Sequence, residues 1–392
     1  VYISRLHVLD FRNYVEAQLD FARGPNVLIG ANGQGKTNLV EAVGYLGSLS
    51  SHRVASDLPL IRRGAERAVV RGAVVNDDRE LLIEVEITAG KANRARVNRS
   101  PVSRTRDVIG ISRSVLFAPE DLELVRGDPG VRRKFLDDLL TVRYPRYASV
   151  RSDYDKVLRQ RNALLKTAGM ARRAGGAGDL RTIDVWDGHL VRAAAALLHG
   201  RLTLVRDLSP FYEEAYANIS GAADTVGMTY RASGDDGADS TATPAQGTAA
   251  ADGAVPAVDQ IAARLAERLA AARPKEVERG VTLVGPHRDE LLLTLDDFPA
   301  KGYASHGQSW SIALAMRLAS YELLRAEGNE PILILDDVFA ELDTRRRNHL
   351  ARVAIGAEQT LITAAVESDV PDELGARSYY VDAGTVVQTT AD

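Results

Sequence analysis

The chain has 392 residues, 45% hydrophobic and 26% charged, an ordinary globular balance with room for one large or two medium domains. With no cysteine, disulfides and thiolate metal sites are excluded. The net charge of −4 argues against a uniformly basic nucleic-acid binder, yet residues 126–206 hold 17 Lys or Arg against 8 Asp and no Glu.

In chain order, residues 3–9 and 26–29 read as strands, and 37–49 as a helix with Leu39, Ala42, Val43 and Leu46 at helical spacing. Residues 81–87 (LLIEVEI) alternate as a half-buried strand should. After a turn at Asp128-Pro129-Gly130, helices are expected over 131–140, 147–167 and 184–219, broken by the glycine-rich run 174–178. The stretch 233–255 is low in complexity, with small and acidic residues and little to bury, and reads as a disordered insert. A helix over 259–273 follows, then strand-like 282–284 and 290–295, a helix over 309–325, a buried strand at 332–335, and strands at 360–363 and 378–382. Residues 1–14 lack the apolar core of a signal peptide, and no apolar run approaches the roughly 18 residues of a membrane span, so a cytoplasmic protein is expected.

The chemistry starts at Gly30-Ala31-Asn32-Gly33-Gln34-Gly35-Lys36-Thr37, which fits the Walker A pattern at every required position and lies between a strand and a helix. Its glycines let successive backbone N–H groups turn toward the phosphates of ATP, and the helix adds the positive end of its dipole. Lys36 supplies a mobile point charge, and the Thr37 hydroxyl reaches Mg²⁺. Some 300 residues later, four apolar residues end in Asp336-Asp337. A buried strand ending in carboxylate beside the phosphate loop would hold Mg²⁺ through Asp336, with Asp337 placed to orient or deprotonate the attacking water. This separation means that the two ends of the chain must come together to close the site.

Ser305-His306-Gly307-Gln308 precedes the helix at 309–325. Hydroxyl, glycine backbone and helix N-terminus make a second phosphate-facing surface, although the same four residues also read as a plain cap. In residues 126–161, Arg132, Arg133, Lys134, Arg143, Arg146, Arg151, Lys156, Arg159 and Arg161 lie in helix-forming sequence. They are expected to meet DNA phosphates without reading bases, unless they form a solvated face. Gly285-Pro286-His287-Arg288-Asp289 reads as a structural turn, since one histidine without neighbouring ligands is a poor metal site.

Walker A, Ser-x-Gly-Gln, Walker B and then Glu341-Leu342-Asp343 is the motif order of ABC-type ATPase heads. With Phe11-Arg12-Asn13-Tyr14, Phe117-Ala118-Pro119-Glu120-Asp121-Leu122, Gly127-Asp128-Pro129 and the run from Asp336 to Asp343, the chain resembles the RecF family of bacterial recombination mediators, related to SMC heads. That resemblance implies an α/β, ABC/SMC-type P-loop ATPase head with a helical, basic arm. The head would be 1–118 and 282–392, the arm 119–230, the insert 231–258, and 259–281 a helix returning to the head. It implies an ATP-dependent homodimer in which Ser305, Gly307 and Gln308 of one copy cap the ATP of the other, Asp343 lies at the dimer seam, and Arg12 and Asn13 lie near the adenosine. It also implies slow, DNA-dependent ATP hydrolysis, binding to single-stranded, gapped and duplex DNA, support of recombinase loading, and RecR/RecO-type mediator partners. Asp337 stands where most ABC ATPases carry glutamate, and Thr363 where a switch histidine is usual; both point to a slow conformational timer. An SMC-like structural ATPase head and a small-molecule P-loop kinase are the alternatives. The interrupted helices of 126–219 argue against the first, and the Ser305 motif against the second.

Overall fold

The computed structural model describes residues 1–173, 181–221, 224–233, 254–328 and 330–388. The glycine-rich break at 174–178 and residues 234–253 of the expected insert lie outside the described residues. Strands in chain order are β1 (Tyr2–Phe11), β2 (Tyr14–Asp20), β3 (Gly24–Ile29), β4 (Arg67–Asn76), β5 (Arg79–Thr88), β6 (Arg94–Val97), β7 (Ser100–Pro101) and β8 (Ser114–Phe117). They continue with β9 (Val226–Arg231), β10 (Glu290–Leu295), β11 (Phe298–Pro299), β12 (Ile332–Asp336), β13 (Gln359–Ala364), β14 (Arg377–Asp382) and β15 (Thr385–Gln388). The longer helices are α1 (Lys36–Ser48), α2 (Pro129–Arg143), α3 (Arg146–Arg173), α4 (Arg181–Ser220), α5 (Val258–Arg279), α6 (His306–Ala326) and α7 (Thr344–Gly356).

The chain forms two compact units: Val1–Leu122 with Phe211–Ala223 and His306–Asp392, and Glu123–Pro210 with Asp224–Ser305. In the first, an antiparallel sheet runs β2-β1-β4-β5-β6-β7, and a second sheet runs β15-β14-β3-β13-β12-β8. From β14 to β8 the second sheet is parallel, with β15 added antiparallel at its edge. The strands β12 and β13 are buried at every position, as central strands of a sheet covered on both faces must be. Helix α1 buries Leu39, Ala42, Val43 and Leu46 in the core shared by the two sheets, and Val40 and Tyr45 as well. It is an interior helix whose buried polar residues, Lys36 and Glu41, have hydrogen-bond partners. Helix α6 is likewise buried along most of its length.

The motif at 117–122 runs from the end of β8 into a short 3-10 turn with a specific lock. Asp121 accepts from the Ala118 N–H at 3.0 Å and from Arg317 of α6 at 2.6 Å, which ties the end of β8 to that helix.

The second unit pairs β11-β10-β9 antiparallel and surrounds them with helices. Three expected boundaries need correction. Residues 282–305 belong to this unit and not to the head, because β10 pairs along its length with β9. Helix α5 belongs here too, and it runs through Pro274 to Arg279; beyond the proline, buried Glu276 binds Arg161 and the Leu283 N–H. Residues 211–223, expected in the arm, join the first unit. The division falls inside α4 at Pro210, which cannot donate to the helical ladder. Residues 282–284 are not a strand, since Asn162 takes both the Thr282 N–H (2.8 Å) and hydroxyl (2.7 Å). Among the described residues no helix is long and apolar enough to cross a membrane.

Candidate nucleotide site

The loop between β3 and α1 has glycine where backbone geometry demands it. A Cβ on Gly30 would lie 2.2 Å from the Val381 carbonyl oxygen, so β14 closes against the loop only if that side chain is absent. Gly35 has φ +119, and its Cβ would meet the Tyr14 hydroxyl at 2.6 Å. Asn13 braces the loop from outside, donating to the Gln34 carbonyl at 3.0 Å and accepting from Asn38 at 2.8 Å. Gln34 in turn accepts from the Ala383 N–H at 2.6 Å. Helix α1 starts at Lys36 with no side-chain cap, which leaves its first N–H groups facing the loop. Lys36 is only 3% exposed, and its ammonium donates to the Gly30 carbonyl at 2.7 Å.

Arg12 is committed elsewhere than expected for an adenosine contact. It forms a two-pronged pair with Glu41 of α1 (Nε–Oε2 2.7 Å) and donates to the Pro59 carbonyl at 3.1 Å. Burial opposes ionisation of Glu41, but hydrogen bonds from Arg12 and Ser51 overcome it and hold the carboxyl below its ordinary range.

Register brings the second motif to the first. Asp336 pairs with Thr363, and Ala364 with Ile29, so the carboxyl ends of β12, β13 and β3 meet beside the loop. There the Thr37 hydroxyl donates to Asp336 Oδ1 at 3.0 Å. Thr363 donates to the same oxygen at 2.6 Å and accepts from the Asp337 N–H at 2.9 Å. Asp337 has φ +51, a left-handed backbone that aspartate tolerates better than most residues and that this bond secures.

Burial, with the neighbouring Asp337 charge adding to it, pushes Asp336 up to about 6 against the opposing hydrogen bonds of Thr363 and Thr37. A buried carboxylate raised in this way, beside a threonine hydroxyl, suits a hard cation that restores its charge. Mg²⁺ uses one or two carboxylates and takes its remaining oxygens from phosphate and water, so these two side chains fit it. Among the described residues no group of three or more His, Cys, Asp or Glu could hold a metal.

The third motif sits differently from the sequence expectation. Helix α6 begins at His306, so Gly307 and Gln308 form its first turn and do not precede it. Ser305 and His306 are exposed. Arg346, which sequence reasoning missed, ties this turn to the residues after Walker B. Its Nη2 donates to the Gly307 carbonyl at 3.0 Å, its Nε to Ser311 at 2.9 Å, and it pairs with Asp343. Asp343 also caps α7 by accepting from the Arg346 N–H at 2.9 Å, and its side chain is 55% exposed. The signal was legible: an acid at an N-cap followed three residues later by arginine.

The expected DNA contacts of the arm are corrected by burial. Arg132 is buried, forks onto Glu290 at 2.8 and 2.9 Å, and donates to the Leu124 and Gly127 carbonyls. Arg143 is buried against Asp207 at 2.8 Å, and Arg161 lies fully inside, bound to Asp187, Glu276 and Thr282. Arg133 is half-buried and donates to the Asp289 carbonyl at 2.7 Å. Of the five first named, Lys134 and Arg146 are exposed; Lys134 pairs with Asp138, and Arg146 lies 5.3 Å over the Tyr147 ring. Arg132, Arg143 and Arg161 thus bind acidic partners inside the second unit.

His287 is structural in the same sense. Tyr154 lies 2.6 Å from its Nδ1 and the Thr282 carbonyl 3.2 Å from its Nε2, an arrangement that a neutral ring satisfies at both nitrogens. Burial lowers its pKa to about 4, opposed by the bond to Thr282.

A phosphate loop, a buried Walker B strand one strand away and a helix starting with the Ser-x-Gly-Gln motif define an ABC/SMC-type P-loop ATPase head. The sequence pattern of the RecF/RecN/SMC N-terminal domain matches residues 2–372. The chain is 55% identical over 390 residues to the DNA replication and repair protein RecF of Frankia alni, covering 100% of both chains. It is 57% identical over 386 residues to the RecF of Beutenbergia cavernae, covering 96% of this chain and 97% of that one. A solved structure of the recombination mediator protein RecF-ATPrS in the RecFOR pathway superposes with TM-score 0.86 at 28% identity, covering 99% of this chain and 98% of that one. An SmcHead bound to the C-winged helix domain of ScpA shares the fold, with TM-score 0.53, 15% identity, and 100% and 98% of the two chains covered. The chain belongs to the RecF family.

Proposed function

We propose that this chain is an ATP-driven DNA-binding switch of replication and recombinational repair, and that its nucleotide closes a homodimer. The observation that carries the reading is the bond from Thr37 to Asp336, which joins the phosphate loop to the Walker B strand. Backbone N–H groups of Gly30, Ala31, Asn32, Gly33, Gln34 and Gly35 would hold the phosphates, with Lys36 on the outer phosphate and Thr37 and Asp336 on Mg²⁺. Mg²⁺ held there would supply charge neutralisation. Asp337 would orient the attacking water and take its proton, slowly because its side chain is short.

Ser305, Gly307 and Gln308 of a second copy would cap the outer phosphate, with Asp343 at the seam. Each ATP then contacts both copies, and its hydrolysis loosens the pair. Arg12 would act near the adenosine through Glu41 and α1, and Asn13 through the loop that it braces. The relatives' names support a place in DNA replication and repair, and that of the ATP-analogue structure supports the RecFOR pathway, hence RecR/RecO-type partners and a cytoplasmic location. Single-stranded, gapped and duplex DNA are the expected substrates, bound without sequence preference.

Sedimentation with and without ATP and Mg²⁺ tests this directly. The chain should shift from monomer to dimer, and Lys36→Met should abolish the shift. Identical sedimentation in both conditions would remove the dimer reading.

A further inference from the structure

The strongest unassigned feature is a run of charge in the first unit. Residues 91–106 carry Lys91, Arg94, Arg96, Arg99, Arg104 and Arg106 and no acidic residue. They build the hairpin β6–β7, whose outer strand β7 ends the antiparallel sheet. Arg94 and Arg96 are two apart on β6 and therefore share a face, while buried Ala95 between them points to the core. Lys91, Arg94, Arg96, Arg99 and Arg104 are exposed. Arg96 pairs with Glu84 at 2.7 Å; among the described residues the other five cations form no ion pair.

The frame beneath these side chains is fixed. Asn93 donates to the Tyr45 hydroxyl at 3.1 Å and to Asp57 at 2.6 Å, Thr105 donates to the Asn93 carbonyl at 2.6 Å, and the Val102 N–H bonds Ala95 at 3.1 Å. At the tip, Val97 pairs with Ser100 across a two-residue turn in which Asn98 and Arg99 have φ +49 and +69. That turn favours asparagine first and glycine second. Arginine in the second place costs stability that glycine would spare, so the fold alone does not ask for it.

We propose that this hairpin is a contact surface for the phosphate backbone of DNA, recognised by charge and not by base. The inference rests on the DNA-binding reading above and gives it a location that the buried arm arginines do not. Acids of β5 face two of these cations, Glu84 paired with Arg96 and Glu86 opposite Arg94 in the register, while Lys91, Arg99, Arg104 and Arg106 lie outside that pairing. The absence of any aromatic residue in the run excludes base stacking as the mode of binding.

The test uses the full chain with ATP and Mg²⁺ and a fluorescent duplex, with binding followed by anisotropy between about 50 and 200 mM salt. The variant Arg94→Ser/Arg99→Gly/Arg104→Ser should lower affinity at least about ten-fold near 100 mM salt and flatten the slope of log affinity against log salt by about 3. Nucleotide-driven dimerisation should be unchanged, which shows that the head still folds. Arg99→Gly alone should flatten the slope by about 1 while raising the melting temperature, a combination that a structural role would not give.

Wild-type affinity and slope in the triple variant would overturn the proposal and leave the surface to an acidic protein segment. So would a slope that responds to Lys134→Ser/Arg146→Ser and not to the hairpin. A wild-type chain that dimerises with ATP but binds no DNA would sink the DNA reading and the hairpin with it. Failure to dimerise would strike the nucleotide reading instead.

Discussion

Thr37 and Asp336 stand 299 positions apart in the chain, yet their side chains meet at 3.0 Å. Thr363 completes the group from β13, which lies between β3 and β12, donating to Asp336 and accepting from the Asp337 backbone. One hydroxyl therefore fixes both Asp336 and the Asp337 backbone.

Removing that hydroxyl should separate binding from turnover. Thr363→Val keeps the shape but leaves the Asp337 N–H without its partner, at a cost of about 1–3 kcal/mol. We expect ATP affinity within a few-fold of wild type, kcat lowered at least about ten-fold, and recovery with Thr363→Ser. Single-turnover hydrolysis beside equilibrium nucleotide binding checks this; an unchanged kcat would refute it.

Arg346 offers a second separation. It holds the Gly307 carbonyl, Ser311 and Asp343 together at the face proposed to meet a second copy. Arg346→Ala should leave ATP binding by the monomer intact and weaken ATP-driven dimerisation. Arg346→Lys should not restore it, because a point charge cannot make the fork of bonds to three partners. Sedimentation equilibrium in ATP with each variant decides.

Arg132 shows why charge in the arm cannot be assigned to DNA by position. Its removal strands Glu290 in a partly buried site, so Arg132→Ala should destabilise the second unit by about 3–5 kcal/mol. Arg146→Ala, at an exposed position, should cost well under 1 kcal/mol. Chemical denaturation of the two variants measures the contrast, and equal effects would contradict the burial argument.

His287 sets an acid limit on the second unit. Its folded pKa is lowered to about 4 from 6.5, chiefly by burial, so the unfolded chain binds the extra proton first as pH falls. Stability from this group is full above the unfolded value and is lost through the window from 6.5 to 4. The loss should reach about 2 kcal/mol by pH 5. His287→Gln should flatten that part of the stability–pH curve, as followed by urea denaturation at a series of pH values.

The nucleotide machinery was legible because its chemistry is local. Eight contiguous residues from Gly30 to Thr37 specify a loop geometry, and four buried apolar residues before Asp336 specify a strand. The first turn of α6 was read one turn late, since Ser305 to Gln308 is equally a helix cap and a phosphate-facing surface until the backbone is seen. Residues 282–305 were assigned to the head because motif order says nothing about which strand β10 will pair with.

By itself, then, the sequence determined the phosphate loop, the position of several strands such as β1, β5 and β12, and the class of ligand that such a loop accepts. All of these follow from periodicity and from backbone freedom over a few residues. Only the tertiary structure decided which cations are spent inside the fold. Arg132 finds Glu290 158 positions away and Arg161 finds Glu276 115 away, whereas five cations of residues 91–106 form no ion pair among the described residues. Charge is written in the chain, but its neutralisation depends on distances that form only when remote segments pack together.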